Sequence, residues 1–213
     1  MQLIVSVCRT LANRRRLRLL HAVHEEPDRT VETLAAATGL PLGATSRHLR
    51  MLQSYQLVQA QPSGRYVRYA PARPYASSTR FIQDMQALLR DVLGADKPER
   101  VLAAVGTAAG PASWAAVYEA LFKMFTAYTH LRRLMLLRYL TRRGACTVEQ
   151  LCEQLKMSKA AAHRHLRKLR RRALVNPSQA ALLWSFAPQT QASGQQRLLT
   201  CVVRALQATP AGK

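Results

Sequence analysis

Displaced against itself by 117 positions, the chain aligns without a gap, and 19 of the 62 positions from Thr10 to Pro71 are identical to their images. The matches keep their order. RRLRLL at Arg15 falls on RRLMLL at Arg132, TVETL at Thr30 on TVEQL at Thr147, RHLRML at Arg47 on RHLRKL at Arg164, and YAP at Tyr69 on FAP at Phe186. A shared bias towards Arg and Ala scatters identities, whereas a duplication keeps them in register, so the chain reads as one module written twice. A length of 213 residues allows one large domain or two small ones, and the repeat selects the second. The organisation expected is a first copy over residues 1–94, a connector over 95–113 and a second copy over 114–213.

Each copy alternates in the same order. Leu11, Leu17, Leu19, Leu20 and Val23 recur at roughly helical spacing, as do Leu134, Leu136, Leu137 and Leu140. A polar break follows, HEEPDR or TRRGAC. A short helix then opens at Thr30 or Thr147, where TVEQ has the Thr-x-x-Gln form of a capping box. After a turn at Gly39–Pro41 or Lys156–Ser158, a second short helix runs through RHLR, with Ser158 suited to its N-cap and Pro41 to its first turn. QLVQAQPSGRYVRYAP predicts strand, Pro-Ser-Gly turn and strand. Helix, short helix, turn, short helix and hairpin describe a winged helix-turn-helix, so the fold class expected is mainly α with small β-hairpin wings, in tandem. The connector begins at a Gly, carries a Pro near each end and predicts a short helix over Glu99–Val105; it reads as a tether rather than a sensor.

Charge narrows the function. Lys and Arg number 32 against 11 Asp and Glu, a net charge of +21, while 48% apolar residues supply a core. A folded protein this basic calls for a polyanionic partner. The charge is also segregated: there is no acid from Pro41 to Gln83 or from Gln154 to Lys213, the stretches that hold both second short helices and both hairpins. A phosphate backbone repels carboxylates and binds Arg and Lys with counterion release, so double-stranded DNA is the partner expected. Phosphodiester hydrolysis needs clustered carboxylates to hold metal ions, and here the acids are scattered, with no P-loop, GxSxG or HExxH, so no catalysis is expected. Aromatic residues at 6% argue against an RNA-stacking platform. MQLIVSVC lacks the basic n-region of a signal peptide, and the uncharged Val101–Val117 is too short and weakly apolar to span a bilayer, so no membrane and a cytoplasmic location are expected. Cys8, Cys146, Cys152 and Cys201 show no CxxC spacing and suit free thiols in a reducing compartment.

LANRRRLRLLHAV, ETLAAATGLPLGATSRHLRMLQSYQLV and GRYVRYAP together resemble the arsenic-repressor (ArsR/SmtB) family of bacterial transcriptional regulators; LFKMFTAYTHLRRLMLL through AAHRHLRKLRRRALV is similar to it but more diverged. Subunits of that family pair through their first and last helices, so the resemblance implies an intramolecular pseudo-dimer. Leu3–Thr10 and Phe81–Leu93 would meet Trp114–Thr126 and Arg197–Leu206. It also implies a sequence-specific transcriptional regulator, a repressor, and places base contacts at Leu42, Gly43, Thr45, Ser46 and Arg47 and at their images Lys159, Ala160, Ala162, His163 and Arg164. Arg47 suits guanine, whose O6 and N7 a guanidinium can span. Arg50 and Gln53, with Arg167, Lys168, Arg170, Arg171 and Arg172 in the second copy, suit phosphate, which positions without specifying. Because the reading positions differ between copies, the operator expected need not be palindromic. An architectural, nucleoid-type protein of low sequence preference is the alternative, and dimerisation of the intact chain through a further surface is a second arrangement.

The wings diverge most. Arg65, Tyr66 and Arg68 surround Gly64 and suit a hairpin tip on the minor groove or its phosphates, whereas Leu182, Leu183 and Trp184 form an apolar wing that either packs on the protein or offers a partner patch. His48 and His165 share one position and read either as DNA contacts or as packing residues. Many members of the family resembled release DNA when metal binds thiolates on the first helix of the motif. Here ETLAAATGL offers none and EQLCEQLKM only Cys152, a packed structural thiol by this reading. Cys8 and Cys201 fall where the pseudo-dimer core is expected and offer a soft-metal or thiol-redox site, and His21, His24, Glu25 and Glu26 offer metal ligands that a polar helix end explains equally well. No metal and no cofactor are expected, and no residue names an effector.

Overall fold

The computed structural model describes residues 1–73, 77, 79–106, 111–178, 182–187 and 193–208. The first copy runs α1 (Gln2–Leu11), α2 (Arg14–Glu25), β1 (Arg29–Thr30), α3 (Val31–Thr38), α4 (Leu42–Ser54), β2 (Val58–Ser63), β3 (Tyr66–Pro71) and α5 (Arg80–Leu93). A connecting helix α6 (Pro98–Val105) follows. The second copy repeats the order as α7 (Trp114–Thr126), α8 (Leu131–Arg143), β4 (Cys146–Thr147), α9 (Val148–Leu155), α10 (Lys159–Arg170), β5 (Val175–Ser178), β6 (Leu183–Phe186) and α11 (Ser193–Ala208). The chain is mostly helical with two small antiparallel sheets, and two helix-turn-helix units stand in tandem, as the sequence leads one to expect.

Local chemistry sets the boundaries. Asn13 accepts the Arg16 N–H to start α2, and His130, its image, accepts the Arg132 N–H to start α8. Thr147 and Gln150 complete the capping box of α9, at 3.2 and 2.9 Å, and Ser158 caps α10 through the Ala161 N–H. Pro41 stands one place earlier than the first turn: it is the N-cap of α4, with extended ψ of 141°, and its carbonyl receives the Ala44 and Thr45 N–H groups. The helix-turn-helix bend needs a left-handed residue. Gly39 supplies it in the first copy at φ 64°, whereas the second copy holds Lys156 there at φ 48°, a strained conformation for a residue with a Cβ.

The ungapped alignment fails at one place. In the first sheet, of order β1-β3-β2, Arg29 pairs with Tyr69 and Val58 with Pro71. In the second, of order β4-β6-β5, Cys146 pairs with Trp184 and Val175 with Phe186, so β6 sits two residues out of the register that the YAP/FAP match implies. A slip of two preserves which face is buried, and Trp184 therefore takes the place of Tyr69 under the sheet. Pro188, the end of the FAP match, lies outside the described residues.

The buried residues of both copies form one continuous cluster. α5 and α11 pack antiparallel: Asp84 pairs with Arg204 at 3.0 Å and Asp91 with Arg197 at 2.7 Å, in opposite order along the two helices. The exposed Asp91–Arg197 pair contributes about 0–1 kcal/mol, whereas a buried Leu or Val contributes about 1.5–3 kcal/mol, so Met85, Leu89, Leu198 and Val202 hold this seam and the charges, Asp84 being largely buried, set its register. α1 and α2 both pack on α7. There His21 lies with its ring 3.6 Å from that of Trp114 and its Nδ1 2.8 Å from the Tyr118 hydroxyl. Arg14 pairs with Glu119 and covers the Phe122 ring. His21 is thus a buried junction residue and not part of a polar helix end. The connector also departs from the expected tether: α6 packs on α7 and α11 through Val101, Leu102 and Val105. Its carbonyls admit α11 so closely that a Cβ on Gly194 would lie 2.9 Å from the Ala104 oxygen.

Candidate nucleic-acid interface

Each recognition helix is fixed from below. Leu49 and Leu52 of α4, and Leu166 and Leu169 of α10, are fully buried, which turns the opposite faces of both helices outward. Positions three and four apart share a helix face. On α4 that outward face carries Leu42, Gly43, Arg47 and Arg50, all exposed, with Ser46 half-buried among them. On α10 it carries Ala160, His163, Arg164 and Arg167, also exposed, with Lys168 and Arg170 exposed in the last turn and Arg171 just past it.

Two of the expected base contacts do not reach this face. Thr45 is 0% exposed and its hydroxyl donates to the Pro41 carbonyl at 3.2 Å; its image Ala162 is likewise fully buried. Both sit where the recognition helix packs on its neighbours, so a small residue is required and a base cannot be touched. Lys159 is exposed but paired with Glu149 of α9 at 2.8 Å, so its charge is compensated on the protein itself. Arg172 is half-buried and turns towards the first helix of its own module, donating to Thr126 Oγ1 at 3.3 Å, away from the outward face of α10. His165 is buried, with its ring 4.5 Å from that of His130, which settles it as a packing residue; His48 remains half-exposed.

The first wing presents Arg65 and Tyr66 at its tip, the guanidinium 5.0 Å from the Tyr66 ring centre. Arg68 is exposed but braces the hairpin, donating to the Asp28 carbonyl at 2.8 Å and to Ser63 Oγ at 3.2 Å. In the second wing Trp184 packs against the core, while Leu182 at the turn is 80% exposed. Trp184 of that wing therefore packs on the protein and Leu182 does not. Residues 179–181 lie outside the described residues.

Sequence reasoning missed Arg9 and Arg16. They line an open groove between α1 and α4 together with Arg47, Arg50 and Met51. Arg16 donates to the Thr10 and Arg9 carbonyls and so ties the end of α1 to the start of α2. Its conservation between the copies, as Arg133, was the available signal. Among the described residues no three His, Cys, Asp or Glu side chains come together as a metal ion needs, and Cys152 is half-buried beside the core. No described helix is long and apolar enough to cross a membrane.

Two winged helix-turn-helix units, each with an outward basic recognition helix, define a DNA-binding architecture. Residues 13–60 match the family described as bacterial regulatory protein, arsR family, and residues 129–178 match the family described as helix-turn-helix domain. The chain thus carries two helix-turn-helix domains in tandem, the first of the arsR type, and these mark a DNA-binding transcription regulator whose partner is double-stranded DNA. Domains of these families are regulatory and generally not enzymes. Searches of curated proteins and of solved structures gave no match to the chain.

Proposed function

We propose that this protein is a sequence-specific transcriptional repressor that works as a single-chain pseudo-dimer, its two recognition helices reading unlike half-sites of one operator. The observation that carries the reading is the pair of outward faces at a constant spacing of 117 residues: Ser46, Arg47 and Arg50 on α4 against His163, Arg164 and Arg167 on α10. The arginines repeat, with His and Leu between them in both copies, and the residue before them does not: Ser46 in the first, His163 in the second. Arginine at the reading positions discriminates guanine, and the change from Ser46 to His163 alters what is read beside it. The pseudo-dimer reading is supported by the antiparallel packing of α5 on α11 and by the packing of α1 on α7, each pair being images of one another. It is supported too by divergence of charge, since the acids Asp84 and Asp91 lie on α5 and the bases Arg197 and Arg204 on α11. Such complementarity favours one copy with the other over like with like.

Footprinting upstream of the protein's own gene, with gel-shift competition against random duplex at fixed salt, tests the proposal. A protected site whose two halves differ, and a large preference over random duplex, are expected. Identical inverted half-sites count against the asymmetric operator. Equal competition by random duplex favours the architectural reading, which the net charge of +21 supports.

A further inference from the structure

Arg133, the third residue of α8, is 9% exposed. One of its terminal nitrogens donates to Thr129 Oγ1 at 2.8 Å, and its Nε is buried without an acceptor. Its image in the first copy, Arg16, is better served: Nε donates to the Thr10 carbonyl and a terminal nitrogen to the Arg9 carbonyl at 3.1 Å. The two copies act as each other's control. The same arginine at the same helix start is satisfied in one and left incomplete in the other.

The surroundings of Arg133 deepen the imbalance. Arg9 reaches across from the first module and donates to the Thr129 carbonyl at 2.9 Å, and Arg172 donates to Thr126 Oγ1 at 3.3 Å, so three guanidinium groups meet at the turn between α7 and α8. Burial, then Arg172 and Arg9, hold the Arg133 pKa below its ordinary value. Burial first, then His130, Arg133, Arg164 and Lys168, press His165 down to about 4, and its Nδ1 is also buried without a partner. His130 is lowered in the same way, by burial and then by Arg133, Arg9, Arg132 and Lys168. No acidic side chain is among the charges acting on these three groups. The first copy has Asn13, Met51 and Tyr55 at the positions of His130, Lys168 and Arg172, so the cluster belongs to the second module alone. It also gathers at the positive end of α8, whose first turn contains no acid.

A buried donor without an acceptor, among cations at a helix N-terminus, is electrostatically incomplete, and an oxyanion with several acceptor oxygens completes it. We propose that the turn at residues 126–129, with Arg133 at its centre and Arg9, Lys168 and Arg172 around it, is a phosphate-binding site. A phosphate group offers more acceptors than a carboxylate and a charge matched to converging guanidinium groups. It can come from the DNA backbone, because Arg164 and Arg167 stand exposed on the adjoining turns of α10, or from a free phosphorylated small molecule. The first source rests on the regulator reading above; the second does not.

Thermal unfolding of the full chain in inorganic phosphate, titrated against chloride at constant ionic strength, is the test. A saturable rise in Tm is expected for the wild type and for Arg100→Gln, which removes an equal charge from the exposed face of α6. Arg133→Gln is expected to weaken phosphate about tenfold, and the exposed Lys168→Gln about threefold, the latter serving if the buried variant fails to fold. Competition with a short mixed-sequence duplex then separates the sources. Phosphate displaced by duplex assigns the site to the DNA backbone, and phosphate retained beside duplex assigns it to a small molecule. If phosphate alone does not saturate but Arg133→Gln or Lys168→Gln lowers the salt slope of duplex binding by about one relative to Arg100→Gln, the backbone is the sole source. Absence of both effects, or equal loss in Arg133→Gln, Lys168→Gln and Arg100→Gln, overturns the site. Loss of sequence preference in the footprint overturns the regulator reading and leaves the phosphate titration standing.

Discussion

Arg47 and Arg164 hold the same place on two helices, and Arg50 and Arg167 the next turn along, so four single substitutions separate reading from anchoring. Arg47→Ala and Arg164→Ala are each expected to relax discrimination at one base position of their own half-site, by about 1–3 kcal/mol, in gel shifts with systematically substituted operators. Arg50→Ala and Arg167→Ala are expected to weaken every duplex alike and to lower the salt slope by about one. Thr45→Ala, which installs the residue the second copy already has as Ala162, is expected to leave base preference unchanged. The histidines give a second measurable consequence. Burial holds both His24 and His165 down to about 4 against an ordinary 6.5. Above pH 6.5 neither the folded nor the unfolded chain protonates them. As pH falls from 6.5 towards 4, the unfolded chain takes up protons that the folded chain refuses, so stability is full above the upper value and is lost through that window. A Tm that falls between about pH 7 and about pH 5, with the fall reduced in His24→Gln, is the expected outcome.

At the scale of elements, the helix-turn-helix bend shows how much a local pattern decides. Thr30, Thr147 and Ser158 are cap residues in the sequence and caps in the structure, because an orphan N–H at a helix start needs a nearby oxygen whatever surrounds it. The bend itself demands a left-handed residue, which Gly39 meets at no steric cost and Lys156 does not. Lys156→Gly is therefore expected to stabilise the protein by about 0.5–1 kcal/mol in urea denaturation, without altering duplex affinity, since relief of the Cβ clash exceeds the extra freedom of the unfolded chain. The wing was less legible. Ungapped identity places Phe186 where Tyr69 stands, yet pairing puts Trp184 there. A strand shifted by two residues keeps the same face inward, so an alternating sequence does not by itself choose between the two registers.

For the whole molecule, one apolar cluster running through both copies predicts one unfolding event. Light scattering is expected to give the mass of a single chain, 23.8 kDa, and denaturation a single transition in which Leu198→Ala, in the seam between α5 and α11, lowers the midpoint seen by probes in either copy. Two separate transitions, or an unaffected first copy, would show that the halves fold apart. The sequence alone settled the duplication, the order of helices and hairpin in each copy, the Thr30, Thr147 and Ser158 helix starts and the acid-free stretches that carry the recognition helices, because these depend on residue type and short spacing. The added strands β1 and β4 and the cap position of Pro41 were not legible in it. Tertiary packing decided the rest. It buried Thr45 and Ala162, turned Arg172 inward, made His21 a junction residue, drew the connector into the core and left Arg133 short of an acceptor. Each of these depends on which groups from distant parts of the chain come to lie beside one another, and no spacing along the chain encodes that.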